Sequence, residues 1–180
     1  VLDTGLDSTH QAFRTMPDDS SVALTKSDVN SKIFGNTAGG LTSRTENKNI
    51  TANDVYYNSK VPFAFDYADN DADVYPSYSH HGTHVAGIIA GSPIYKTNND
   101  GSFVLDDNGN KILDTIKDQD GNELLNKEGE KMTFTGVAPN AQLAIFKVFS
   151  DNENRDGGLG GAETMDILCA LEDCVKLGVD

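Results

Sequence analysis

His80-His81-Gly82-Thr83-His84-Val85-Ala86-Gly87-Ile88-Ile89-Ala90-Gly91 is the stretch whose reading decides the fold. From Val85 to Ala90 it is apolar and rich in small side chains. A helix of that composition can bring its backbone close to neighbouring strands, so a tightly packed, buried helix is predicted over 81–91. His81 immediately precedes Gly82, which sets an imidazole at the start of that helix. Outward, toward the N-terminus, Val1-Leu2-Asp3-Thr4-Gly5-Leu6-Asp7 reads as the end of a strand, a carboxylate and a glycine turn. In open parallel α/β sheets, ligands gather beyond the carboxyl ends of the strands. A carboxylate at a strand end and an imidazole at a helix start can meet there.

The chemistry of such a pair is specific. Asp3 would accept the Nδ1–H of His81, fix the tautomer and stabilise the imidazolium. His81 Nε2 would then be free to take a proton from a nucleophile. Asp3 and His81 are therefore the candidate catalytic residues. Ser79 and Ser92 flank the helix, but no oxyanion-hole donor is implied near either.

Outward in the other direction, Ala141 to Phe149 is nearly continuously apolar, the pattern of a central strand covered on both faces. A helix is predicted from about 162 to 177, burying Met165, Ile167, Leu168, Leu171, Cys174 and Val175, with Gly178 at its C-cap. Val61 to Tyr67 is a short strand candidate, and the polar stretch 14–60 reads as an irregular, loop-heavy excursion. Strands alternating with helices indicate an α/β fold, a parallel sheet flanked by helices.

Residues 96–133 carry a degenerate repeat. Asn98-Asn99-Asp100-Gly101, Asp106-Asp107-Asn108-Gly109 and Asp118-Gln119-Asp120-Gly121 each precede a short apolar pair. Asp-Gly and Asn-Gly supply the positive φ of tight hairpins, so a β-hairpin surface insert is predicted. A calcium-loop or calcium-dependent adhesive reading fails on spacing, because no Gly stands sixth with a Glu twelfth.

The chain has 180 residues and a net charge of -14, with 14 Lys plus Arg against 28 Asp plus Glu. A field of that sign repels phosphate backbones and anionic lipid surfaces, so no nucleic-acid partner and no membrane insertion are expected. No stretch approaches the roughly 18 apolar residues of a membrane helix. Cys169 and Cys174 are five positions apart in a predicted helix, which turns the thiols away from each other by about 140°. They are read as small buried hydrophobes.

Three segments, in order, resemble the subtilisin family of serine proteases: VLDTGLDSTH at 1–10, HGTHVAGIIAG at 81–91 and GVAPNAQLAIFKVF at 136–149. VPFAFDYADNDADV at 61–74 further resembles the large bacterial cell-envelope subtilases of the lactocepin and C5a-peptidase type. The resemblance implies a subtilisin-like fold, and a serine endopeptidase acting on a polypeptide substrate outside the cell or anchored to its envelope. Asp3 and His81 then belong to an Asp-His-Ser triad. On this reading the chain is the N-terminal part of a catalytic domain whose serine lies beyond Asp180, so the piece alone is expected to be inactive and to self-associate. The alternative is a catalytically dead domain used for binding or scaffolding. The resemblance also implies a peptide-binding edge at Leu159, Gly160 and Gly161, a substrate pocket lined by Phe149, and a structural role for His84. Ala12 stands where many subtilisins place a calcium-binding Asp, so no cofactor is expected. The acidic run Asp66, Asp69, Asn70, Asp71 and Asp73 could hold a calcium ion weakly, against the reading of a solvated turn.

Overall fold

The computed structural model describes residues 1–17, 21–36, 38–43, 49–118, 120–155 and 157–179. Its centre is a parallel sheet of three strands, β1 (Leu2–Asp3), β2 (Phe63–Asp66) and β3 (Ala144–Lys147), in the order β1-β3-β2. Among the described residues, four α-helices flank it: α1 (Lys26–Ile33), α2 (Ala52–Val55), α3 (His81–Ala90) and α4 (Thr164–Leu177). A 3-10 turn spans Gln11–Phe13.

Alternation along the strands separates two cores. Phe63, Phe65, Phe146 and Val148 point to one face, where Val29 and Ile33 of α1, Val55 of α2, and Ala170 and Leu177 of α4 cover them. Ala64, Ile145 and Leu143 point to the other face, against Ala86 and Ala90 of α3 and Phe13. Burial on both faces is why β2 and β3 read as unbroken apolar runs. The parallel α/β prediction holds.

Three sequence expectations need correction. The stretch 14–60 is not simply irregular. α1 and α2 each start with a reciprocal capping box, Thr25 with Asp28 and Thr51 with Asp54, which satisfies the first free N–H groups of each helix. α3 is less buried than predicted: Gly82, Ala86, Gly87 and Ala90 are buried, while Ile88 and Ile89 are exposed. α4 turns a different face inward than its apolar pattern suggested. Asp166, Cys169, Ala170, Asp173 and Leu177 are buried, whereas Met165, Leu168, Leu171 and Val175 are exposed. The buried acids have partners. Arg155 donates to Asp166 at 2.5 Å, and Asp173 accepts from Thr42, the Tyr67 hydroxyl and Lys176. Gly178 ends α4 at φ 70, as predicted, and both cysteines are free thiols.

The insert forms hairpins whose tight turns place Gly101, Gly109, Gly121 and Gly129 at positive φ. Backbone bonds between residues eight or sixteen apart close it into two rings. Lys96 N–H donates to Ile112, Ile112 to Val104, and Val104 back to Lys96; Ile116, Met132 and Leu124 form the second ring in the same sense. Gln119, within the third repeat, lies outside the described residues.

Candidate active site

The site is built where the loop after β1 meets the first turn of α3. Gly5 takes φ +111, and a Cβ there would lie 2.3 Å from the Val74 carbonyl oxygen, so only glycine makes this turn. A Cβ on Gly82 would lie 2.4 Å from the Gly5 carbonyl oxygen and 3.1 Å from Asp3 Cβ. The two glycines let a helix start rest directly on a strand end.

Hydroxyls fasten the contact from both sides. Thr4 Oγ1 donates to the Ser79 carbonyl at 2.6 Å and accepts the Gly82 N–H at 2.9 Å. His80 supplies no side-chain cap to α3, so Thr4 satisfies a first-turn donor from across the site. In return, Thr83 Oγ1 accepts the Asp7 N–H at 2.9 Å.

This framework brings Asp3 and His81 together across 78 residues of chain. His81 Nδ1 lies 2.8 Å from Asp3 Oδ1 and 3.0 Å from Oδ2. Asp3 Oδ1 also accepts the Thr4 N–H at 2.7 Å. The Asp3 side chain is 14% exposed and the His81 side chain 67% exposed. The carboxylate is sheltered while the imidazole is open on its outer side, the polarity that a base with a buried orienting group requires.

The other histidines stand apart from this pair. His10 Nδ1 caps the 3-10 turn by accepting the Ala12 N–H, and His80 packs edge-on against Tyr75. His84 is exposed, on the wall of a cleft of about 700 Å³ between α3 and the insert that also takes in Ile88, Ile116 and Phe134.

Behind the pair lies a charged network at the end of β3. Lys147, 3% exposed, bonds Asp66 at 2.6 Å and Asp151 at 2.8 Å. One ammonium serving two acids splits them. Burial pushes Asp66 up to about 7 despite Lys147. At Asp151 the burial effect is outweighed by Lys147 and by the Ser77 and Tyr78 N–H groups, and the carboxyl falls below its usual value. Burial lowers Lys147, but the two carboxylates more than reverse it, and its net shift is upward.

The acidic run is largely engaged by protein partners. Asp66 accepts from Lys147 and the Asp69 N–H. Asp69 accepts from the Ser150 hydroxyl and the Asp151 N–H. Asp71 and Asp73 form local turns by accepting the Asp73 and Tyr75 N–H groups. Among the described residues, no group of three His, Cys, Asp or Glu is arranged to hold a metal ion.

The implied peptide edge differs from expectation. Leu159, Gly160 and Gly161 are not extended: Gly157, Gly158 and Gly160 take positive φ and fold the chain into successive turns. The Gly160 N–H donates to the Ser150 carbonyl at 2.8 Å, and the Ser150 N–H to the Gly161 carbonyl at 3.0 Å. Phe149 packs against the α4-side core and is half-buried; Leu159 is exposed. Sequence reasoning missed Thr4, Thr83 and Asp151, whose roles come from contacts between distant segments.

With this geometry in hand, comparison with known proteins places the chain in a class. Residues 1–166 match the family described as the subtilase family, and the chain belongs to it. The curated relatives include the PI-type and PIII-type proteinases of Lactococcus lactis subsp. cremoris, each 33% identical over 182 aligned residues that take in the whole chain. The PII-type proteinase of Lacticaseibacillus paracasei is 32% identical over the same length. The chain spans 7% of the length of each of these relatives. No solved structure matches it significantly. Among the described residues, no helix is long and apolar enough to cross a membrane.

Proposed function

We propose that this chain supplies the orienting acid and the general base of a serine endopeptidase that cleaves polypeptides outside the cell or at its envelope. The observation that carries the reading is the bond from His81 Nδ1 to both oxygens of a sheltered Asp3, at 2.8 and 3.0 Å. With Nδ1–H donated to Asp3, Nε2 is the free basic nitrogen. It would take the proton of a serine hydroxyl as that oxygen attacks the scissile carbonyl, then deliver it to the leaving amine. Asp3 would stay ionised and offset the imidazolium charge. The serine and the oxyanion-hole donors would come from another part of the parent protein. Membership of the subtilase family and the likeness of 61–74 to cell-envelope subtilases support the assignment.

The test is labelling of the full-length protein with a fluorophosphonate, which reacts with an activated serine. One serine should be labelled in the parent protein, and His81→Ala should abolish that labelling. Undiminished labelling of the His81→Ala protein would refute the base assignment. No labelling of the parent protein would favour the scaffolding role.

A further inference from the structure

His81 opens α3, so the place of its imidazole depends on how residues 74–80 lead into the helix. The β1 loop holds that lead-in at both ends. The Leu6 N–H donates to the Val74 carbonyl at 2.8 Å, and Thr4 bonds the Ser79 carbonyl and the Gly82 N–H. Between these anchors the chain is held from the β3 side by Asp151. Its two oxygens accept the consecutive N–H groups of Ser77 and Tyr78, each at 2.9 Å. One oxygen on each of two neighbouring amides fixes the direction of the segment as well as its place.

Asp151 is itself anchored. Its N–H donates to Asp69 at 3.0 Å, and Lys147 bonds its carboxylate at 2.8 Å. Lys147 stands beside Asp3 in the β1–β3 register and beside Asp66 in the β2–β3 register. Its stem runs against the turn after Asp3, because a Cβ on Gly5 would lie 3.0 Å from Lys147 Cδ. One buried side chain thus touches the turn that follows Asp3 and, through Asp151, the segment that precedes His81.

We propose that Asp151 is a positioning residue for the general base: anchored by Lys147, it fixes the backbone of Ser77 and Tyr78 and through it the reach of His81 to Asp3. This rests on the endopeptidase reading. Both Asp151 oxygens are spent on the 77–78 amides and on Lys147, so the residue acts through that backbone. Its effect falls on the chemical step, by way of the separation between His81 Nδ1 and the Asp3 carboxylate, and not on substrate affinity. Thr4 still holds Ser79 and Gly82 when Asp151 is lost, so α3 shifts without coming free.

The test compares the full-length protein with its Asp151→Ala and Asp151→Asn variants. Asp151→Ala should lose about tenfold in kcat on a peptide substrate at nearly unchanged KM, since a misplacement of about 1 Å can cost roughly 10²-fold and Thr4 limits the shift. Asp151→Asn keeps the side-chain volume and one acceptor oxygen, so it should lose less, again in kcat; it carries the test if the alanine variant does not fold. The rate of fluorophosphonate labelling should fall in step with kcat. In a His81→Ala background, Asp151→Ala should cost nothing further, because residues that act as a unit do not add. Hydrogen exchange read by mass spectrometry needs no turnover, and the amides of 77–82 should exchange faster in both variants. An unchanged kcat, a loss carried by KM, or a further loss in the His81→Ala background would overturn the positioning role. A parent protein that cleaves no peptide and takes no label would overturn the endopeptidase reading and with it any role in catalysis. Unchanged exchange at 77–82 would overturn the anchoring by Asp151 whichever way the activity falls.

Discussion

Gly82→Ala adds one methyl group at the point where α3 rests on the β1 loop. Its Cβ would lie 2.4 Å from the Gly5 carbonyl oxygen and 3.0 Å from the Gly5 nitrogen, both backbone atoms that no rotamer change can remove. Ordinary contact begins near 3.4 Å, so the helix start must retreat by roughly 1 Å. Overpacking of this kind costs about 1–3 kcal/mol. Replacing glycine by alanine in a helix recovers at most about 1 kcal/mol, and less in the first turn. The net loss is about 1–2 kcal/mol, a fall in Tm of roughly 2–8 °C for a domain of this size. The effect on activity should be larger than that loss suggests, because the retreat lengthens the His81–Asp3 bond. A misplacement of about 1 Å can cost roughly 10²-fold in rate. The assay is calorimetry together with kcat/KM on a peptide substrate, both with the full-length protein. A Gly82→Ala enzyme with unchanged Tm and unchanged turnover would refute the close-approach reasoning.

Replacing 97–132 by a short Gly-Ser linker should leave a cooperative melt with only a small loss of stability, because the insert closes its own hydrogen bonds and loop-closure terms change slowly with length; loss of the cooperative transition would contradict this. Removing divalent cations with EDTA should leave Tm nearly unmoved, whereas a site saturated at a hundredfold its Kd would contribute about 2.7 kcal/mol; a large drop would mean that the Asp66–Asp73 run holds a cation. Asp66 titrates higher in the folded chain than its ordinary value of 3.8, so its favourable contribution is complete below about pH 4 and is lost as pH rises through about 7. Chemical denaturation at pH 5 and pH 7.5 should therefore show wild type losing stability relative to Asp66→Asn over that interval; the opposite trend would mean that the Lys147 ion pair outweighs burial.

Much of the fold was legible because its signals are local. An apolar run at 141–149 announced the central strand, and small residues after His81 announced a helix that can approach a sheet. The contact between Asp3 and His81 was legible for the same reason, since a strand end and a helix start are both local features. α1 and α2 were missed because they are short and polar, although Thr25 with Asp28 and Thr51 with Asp54 carried the capping signal. α4 was assigned the wrong inward face because its buried acids are paired with Arg155 and Lys176 and hydrogen-bonded by Thr42 and Tyr67, partners that no periodicity reveals. The 159–161 edge was inferred as extended, but positive φ at Gly157, Gly158 and Gly160 bends it onto Ser150. Thr4 and Asp151 act on segments 75 and 74 residues away, and single-chain patterning carries no trace of such contacts.

The central claim is that His81, oriented by Asp3, is the base of a serine endopeptidase. The most direct measurement is the turnover of full-length His81→Ala and Asp3→Asn proteins on a peptide substrate, with Tm recorded alongside. Each should lose about 10⁴- to 10⁶-fold in kcat at nearly unchanged Tm, the range found for triad members in serine proteases, subtilisin among them. Near-normal turnover by the His81→Ala protein would contradict the account.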